Sequence, residues 1–190
     1  MMQIGHFYRN LPTLETPRLV LRPIALDDAP DVFAYASDAE VTRYLRWESH
    51  QTLAQTESYV RGVLHDYQED RDGPWGIVDK ASNRLIGHIH LMDLSAQHHK
   101  AHIGFVLARS CWNNGLATEA LLHVLAYVFG TLDLHRVEGF SLVGNGAAMR
   151  VMEKAGMQKE GVLRDYLFQK GDFRDFAVYA ILQRDFERVG

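Results

Sequence analysis

Asn113-Asn114-Gly115-Leu116-Ala117-Thr118-Glu119-Ala120 turns an apolar strand directly into an apolar-faced helix, and this junction constrains the fold more than any other stretch of the chain. Segments 101–108, 115–130 and 136–143 read as strand, helix and strand, a crossover whose two strands are expected to be parallel neighbours joined right-handedly. The turn also carries chemistry. A helix start has about four N–H groups without intrahelical partners and roughly half a unit of positive charge, so an anion placed there is held without Lys or Arg. Gly115 lets the backbone approach such a ligand, and Asn113 and Asn114 are the non-glycine types that best tolerate left-handed backbone. The same residues also suit a plain helix cap, and the local pattern by itself leaves both readings open.

Periodicity places the rest around that crossover. After a loose leader, Arg18-Leu19-Val20-Leu21-Arg22 alternates as a first strand stopped by Pro23, and Asp27 and Asp28 open a helix toward Ala36. A second helix runs from Thr52 to about Glu69, with Leu53, Val60, Leu64 and Tyr67 at helical spacings. Trp75–Val78, Leu85–Met92 and Ala101–Ala108 are β-rich and read as an antiparallel meander. Leu116, Ala120, Leu121, Val124, Leu125 and Val128 form an apolar stripe on the crossover helix, which Gly130 ends. Asn145 is placed to cap a shorter helix from about Ala147 to Ala155, and two strand-like segments, 157–168 and 173–183, close the chain. The order predicts an α+β fold around one mixed sheet.

A chain of 190 residues, 47% hydrophobic, is long enough for one well-buried core, and a single domain over 1–190 with its core at about 14–183 is expected. The formal charge of −4, with no basic block, gives no electrostatic reason for nucleic-acid binding. No apolar run reaches membrane-spanning length, and Met1-Met2-Gln3-Ile4-Gly5-His6 lacks the regions of a signal peptide. Together with the single Cys111, these features lead us to expect a cytoplasmic protein.

The turn and its surroundings resemble the GNAT acyltransferase superfamily, whose acetyl-CoA site uses a Gln/Arg-x-x-Gly-x-Gly/Ala turn between strand and helix. Here that turn is Trp112-Asn113-Asn114-Gly115-Leu116-Ala117. The likeness continues in Leu14-Glu15-Thr16-Pro17-Arg18-Leu19-Val20-Leu21-Arg22, in Asn145 followed by Val151-Met152-Glu153-Lys154-Ala155-Gly156-Met157, in Glu160-Gly161-Val162-Leu163-Arg164 and in Lys170-Gly171-Asp172-Phe173-Arg174-Asp175. These segments are similar to the ribosomal-protein N-terminal acetyltransferase (RimJ/RimL-like) branch, over about 14–183. The resemblance implies a GNAT fold: a mostly antiparallel sheet with one splayed parallel strand pair, flanked by helices. It implies acetyl-CoA as acyl donor and a primary amine as acceptor, either a protein N-terminus or a small amine, amino acid or antibiotic. A non-catalytic acyl-CoA sensor on the same fold is the reading from another class.

Carried over by position, the resemblance implies that amides of Asn113, Asn114, Gly115, Leu116, Ala117 and Thr118 cradle the diphosphate. Phe105, Val106 and Leu107 would offer main-chain partners to pantetheine, as to an added strand, and Asn145 would hydrogen-bond it or simply cap its helix. Trp112 replaces the Gln or Arg of the turn, and Ala148 stands where the branch commonly has a Ser suited to protonating the thiolate. Tyr166 is then the candidate proton donor, against a plain role as a packed strand aromatic. Glu138 and Asp93 could deprotonate the amine through water, or be surface carboxylates; catalysis by approximation alone is the further option. An α-amine is the easier nucleophile, since its reference pKa lies about 2.5 units below that of lysine, or about 3.4 kcal/mol.

No metal is expected: His88, His90 and His102 share neighbouring strands but lack a four-ligand spacing. Cys111 reads as a small apolar filler and not as a nucleophile. The acidic run Asp27, Asp28, Asp31, Asp38 and Glu40 is either a solvated face or a lure for a cationic substrate. Exposed edge strands make a homodimer an expectation as well.

Overall fold

The alternation at β2 (Leu19–Pro23) sends Leu19 and Leu21 fully into the core and leaves Val20 and Arg22 on the opposite face. A two-residue strand, β1 (Leu14–Glu15), pairs antiparallel beside it. The structure, a computed structural model, describes residues 5–187. Helices α1 (Ala29–Ala36), α2 (Ala39–Thr42) and α3 (Leu53–Gln68) follow, then the meander β3 (Trp75–Asp79), β4 (Arg84–Ser95) and β5 (Lys100–Leu107). The crossover helix α4 (Leu116–Gly130) leads to β6 (Arg136–Leu142), α5 (Gly146–Lys154), the hairpin β7 (Gln158–Gln169) and β8 (Asp172–Leu182), and a last turn of helix, α6 (Gln183–Phe186). The eight strands form one sheet in the order β1-β2-β3-β4-β5-β6-β8-β7, and only β5 and β6 run parallel.

Two layers of helix cover the sheet. Tyr35 of α1 bonds His88 of β4, so α1 and α3 lie on the face that carries His88, Val106, His102, Glu138 and Phe140. Helices α4 and α5 lie on the other, where Tyr127 meets Trp75 and Met152 packs under Gly139. All six stripe residues of α4 are buried. Burying such a row of Leu and Val side chains, each worth about 1.5–3 kcal/mol, holds α4 against the sheet.

The parallel pair parts as the resemblance implied. Its shared register runs only from Lys100↔Arg136 to Ile103↔Gly139. Beyond that, Phe140–Leu142 follow β8, whereas Gly104–Leu107 stay on β4. Gly87 makes the latter possible, because any Cβ there would collide with the Val106 carbonyl.

Several expectations are corrected. The leader is not loose over its described part: Phe7, Tyr8 and Leu11 are buried, Phe7 meets Trp75 edge-on at 5.8 Å, and the Tyr8 hydroxyl donates to Leu91 O at 3.0 Å. Three large apolar side chains in a short segment are enough to dock it. The reading of Met1 to Ile4 lies outside the described residues. Leu53 is exposed, because the buried stripe of α3 is Thr56, Val60, Val63 and Tyr67. Gly130 is the last helical residue and not the stop, which falls at Thr131. The two four-residue helices, α2 and α6, are too short for periodicity to reveal.

Three members of the acidic run are tied to arginines, whereas Asp27 and Glu40 stay exposed. Asp28 bonds Arg22 at 2.7 Å, Asp31 pairs with Arg84, Asp38 caps α2 and pairs with Arg109 at 2.9 Å, and Glu40 lies 3.7 Å from Arg43. Among the described residues no helix is long and apolar enough to cross a membrane.

Candidate active site

The turn between β5 and α4 has the backbone that its residues predicted. Asn113 (φ 61°) and Gly115 (φ 76°) are left-handed, and Gly115 stands as the N-cap of α4. No N–H from Asn113 to Thr118 finds an acceptor among the described residues; the first bond of the helix start is Glu119 N to Gly115 O at 3.0 Å. A side-chain cap is absent there, so the helix dipole opens on a row of bare donors.

Arg18 secures this turn, a role its strand alternation did not reveal. Its Nη1 donates to Asn114 O at 2.9 Å and its Nε to Glu119 Oε2 at 2.6 Å. Glu119 also takes a 2.5 Å bond from Thr16 Oγ1. Burial alone would raise the Glu119 pKa, but the donors Thr16 and Arg18 hold it below the usual carboxylate range. Trp112 has a structural task as well: its Nε1 donates to Leu107 O at 2.9 Å and pins the turn to the end of β5. Of the three strand residues carried over, Leu107 therefore has its carbonyl engaged.

Gly104–Leu107 turn one edge to the opening between β5 and β6. Asn145 caps α5, its Oδ1 accepting from Ala148 N at 3.2 Å, so the capping role is realised. Tyr166 stacks on Phe140 with centroids 6.0 Å apart and an interplanar angle of 8°, and meets Phe176 at 6.0 Å. It remains 46% exposed, and its hydroxyl makes no bond among the described residues. Phe140 is the first residue past the paired stretch, which places Tyr166 at the opening on the α1/α3 face.

Glu138 is not a surface carboxylate. It takes bonds from Arg136 Nε at 2.8 Å and Lys100 Nζ at 3.4 Å, and its Oε2 lies 2.7 Å from His102 Nε2. Burial opposes its charge, yet Arg136, His102 and Lys100 together hold its pKa low, which weakens it as a base. His102 Nδ1 in turn lies 2.9 Å from Asp93 Oδ2, forming a chain Asp93–His102–Glu138 that separate readings of the two carboxylates missed.

Two cavities lie on the α1/α3 face, and the segment 43–50 contributes to the lining of both. The first, about 120 Å³, is walled by Tyr35, Trp47, His50, Tyr59 and His88. Burial, helped by His90, drives the His88 pKa down to about 3, burial also lowers His50, and burial pushes the Tyr59 phenol up to about 12. The second, about 350 Å³, is lined by Arg43, Tyr44, Leu142, Gln169, Lys170 and Arg174. Neither was legible in the sequence, since their walls come from separate segments, in the second cavity more than a hundred residues apart. Among the described residues no group of three or more His, Cys, Asp or Glu is arranged to hold a metal: His88 bonds Tyr35 and His102 bonds carboxylates.

A mixed sheet that parts around a helix start lined with unpaired donors has the groups to hold an anion and to pair with an extended, peptide-like chain. Residues 18–158 match the family described as the Acetyltransferase (GNAT) domain, and the chain belongs to that family. It is an acetyl-CoA-dependent N-acetyltransferase. Over 172 residues it is 40% identical to the uncharacterized N-acetyltransferase YoaA of Bacillus subtilis, covering 90% of this chain and 97% of that one. Among solved structures it is similar to a GNAT-family acetyltransferase from Bacillus anthracis, with a TM-score of 0.82 at 28% identity over 91% of this chain and 99% of that one. A spermidine N-acetyltransferase from Vibrio cholerae, solved with CoA and spermine, shares the fold with a TM-score of 0.76 at 23% identity, over 90% and 99% of the two chains.

Proposed function

We propose that the protein moves the acetyl group of acetyl-CoA to the α-amine of a protein or peptide N-terminus. The row of unpaired amides from Asn113 to Thr118, beside the parted strands, carries the donor half of this reading. The diphosphate rests on those amides, and pantetheine lies along Phe105–Leu107 as an added strand, with Asn145 on the facing side. The acceptor half is supported by the likeness of the sequence motifs to the ribosomal-protein branch and by the lower basicity of an α-amine.

In the reaction the amine lone pair attacks the thioester carbon, a C–N bond forms, and the C–S bond breaks to release a thiolate. Main-chain N–H groups of β5 polarise the carbonyl as charge develops on its oxygen. The neighbours of Glu138 oppose a basic role for it, so the amine gives its proton to solvent. Tyr166 protonates the departing sulfur, since Ala148 has no proton to give. Changing Tyr166 to Phe keeps the stack on Phe140 and removes only the hydroxyl. The expected result is a kcat lower by about a hundredfold with acetyl-CoA affinity unchanged. A fall below about threefold in stopped-flow turnover would remove Tyr166 and leave solvent as the acid.

Two measurements test the whole reading. Acetyl-CoA at ten to a hundred times its Kd is expected to raise stability by about 1.4–2.7 kcal/mol in thermal unfolding. A panel of N-terminal peptides and small amines with thiol detection then reads turnover: no binding contradicts the donor site, and binding without turnover leaves a sensor. We also propose a homodimer through β7, an edge strand that exposes Val162, Leu163 and Phe168. Sedimentation at micromolar concentration is expected to return twice the 21.7 kDa chain mass, and a single-chain mass would overturn it.

A further inference from the structure

The cavity at the carboxyl end of β6 is lined by three cations. Arg43 comes from the segment after α2, Lys170 from the tip of the β7–β8 hairpin and Arg174 from β8, with Leu142 and Val143 forming the side toward the strand opening. Lys170 Nζ donates to Thr42 O at 2.8 Å and Gln169 Nε2 to Leu45 O at 2.8 Å, so the hairpin tip and residues 42–45 are fastened into one wall.

The counter-charges of these cations are weakly held. Glu40 lies 3.7 Å from Arg43, Glu48 3.7 Å from Lys170 and Asp172 3.5 Å from Arg174, and each of these carboxylates is more than half exposed. Such long, wet pairs contribute little and yield easily to a better-placed oxyanion. Among the described residues, none lining either cavity is a carboxylate. Asp28, Asp31 and Asp38, which would otherwise greet a polycation, are bound to Arg22, Arg84 and Arg109, and of the acids in this run only Asp27 and Glu40 stay exposed.

A second observation points to a peptide as the occupant. Gln169 is only 6% exposed, and its Oε1 has no donor among the described residues. A buried acceptor left unpaired costs free energy that an incoming N–H recovers. A peptide bearing an acidic side chain supplies both groups, an oxyanion for the cations and a backbone N–H for the carbonyl.

We infer that this cavity reads an acidic residue near the N-terminus of the acceptor, so that the enzyme acetylates acidic N-terminal peptides and discriminates against polyamines. The inference deepens the proposed function and rests on it. The anion could alternatively come from acetyl-CoA itself, whose phosphates share the same chemistry, and the experiment separates the two sources.

The test uses the full chain with C-terminally amidated peptides beginning Ala-Asp-Glu or Ala-Asn-Gln, alongside spermidine, followed by thiol release. The acidic peptide is expected to have a kcat/KM about tenfold or more above its neutral counterpart, with spermidine the poorest. Arg43→Gln and Arg174→Gln are each expected to shrink that ratio about fivefold while leaving the KM for acetyl-CoA unchanged. Both variants leave the bonds of Lys170 and Gln169 that fasten the hairpin in place. Equal rates for the two peptides, or a ratio untouched by both substitutions, would overturn the inference. So would a raised KM for acetyl-CoA with the peptide ratio intact, which assigns the cations to the donor. If none of the amines is acetylated although acetyl-CoA binds, the transferase reading fails and this inference falls with it.

Discussion

Replacing Gly115 by Asp is expected to raise the KM for acetyl-CoA by about a hundredfold or more while the far-UV spectrum stays native. Like charges brought together in a binding site cost several kcal/mol, which is the scale of that loss. The fold has reasons to tolerate the change. A Cβ at this position meets nothing closer than Arg18 Nη2 at 3.5 Å, and Asp is among the side chains that enter positive φ most readily. An acid at a helix N-terminus even favours the helix, here at the start of α4. The new carboxylate would occupy the amides that the diphosphate needs and repel whatever approached. Isothermal titration separates the outcomes: native folding with undiminished acetyl-CoA affinity would move the phosphate site away from residues 113–118.

That turn was readable because everything it needs is local. Left-handed backbone at Asn113 and Gly115, the unpaired donors and the buried stripe of α4 all follow from residues within one helix length. The parallel pairing of β5 and β6 followed from handedness, since a strand, a helix and a strand allow few closures. What the sequence hid depends on distant partners. Arg18 reaches Asn114 across 96 positions, and Trp75 is met by a leader whose docking has no periodic signature. Glu138 could be chosen as a carboxylate near the site, yet its character is decided by Arg136, Lys100 and His102, which convert a candidate base into a neutralised anchor. Asp28, Asp31 and Asp38 likewise change meaning once their arginine partners, drawn from β2, β4 and the segment after β5, are known. The cavity at the end of β6 is the extreme case, because residues 42–45 are held in its wall by bonds from Gln169 and Lys170, more than 120 positions away.

Acid is expected to destabilise the protein through His88, and a single substitution isolates the effect. His88 bonds the Tyr35 hydroxyl at 2.9 Å in the aromatic cavity, and burial holds its pKa near 3 against 6.5 for a free imidazole. With the folded-state pKa depressed, the unfolded chain binds the proton first. This contribution to stability is therefore complete above pH 6.5 and is lost as the pH falls toward 3, at about 1.4 kcal/mol per pH unit. His88→Gln supplies an amide oxygen that accepts from Tyr35 and does not titrate. Its urea-unfolding free energy is expected to match the parent within about 1 kcal/mol at pH 7.5 and to exceed it by about 2 kcal/mol at pH 5. Some slope persists in the variant, because burial lowers His90 and His50 too. An offset between the two proteins that is the same at both pH values would show that His88 accepts its proton in the folded state. The cavity between Trp47, Tyr59 and Tyr35 would then hold a charge that the buried, neutral His88 now keeps out of it.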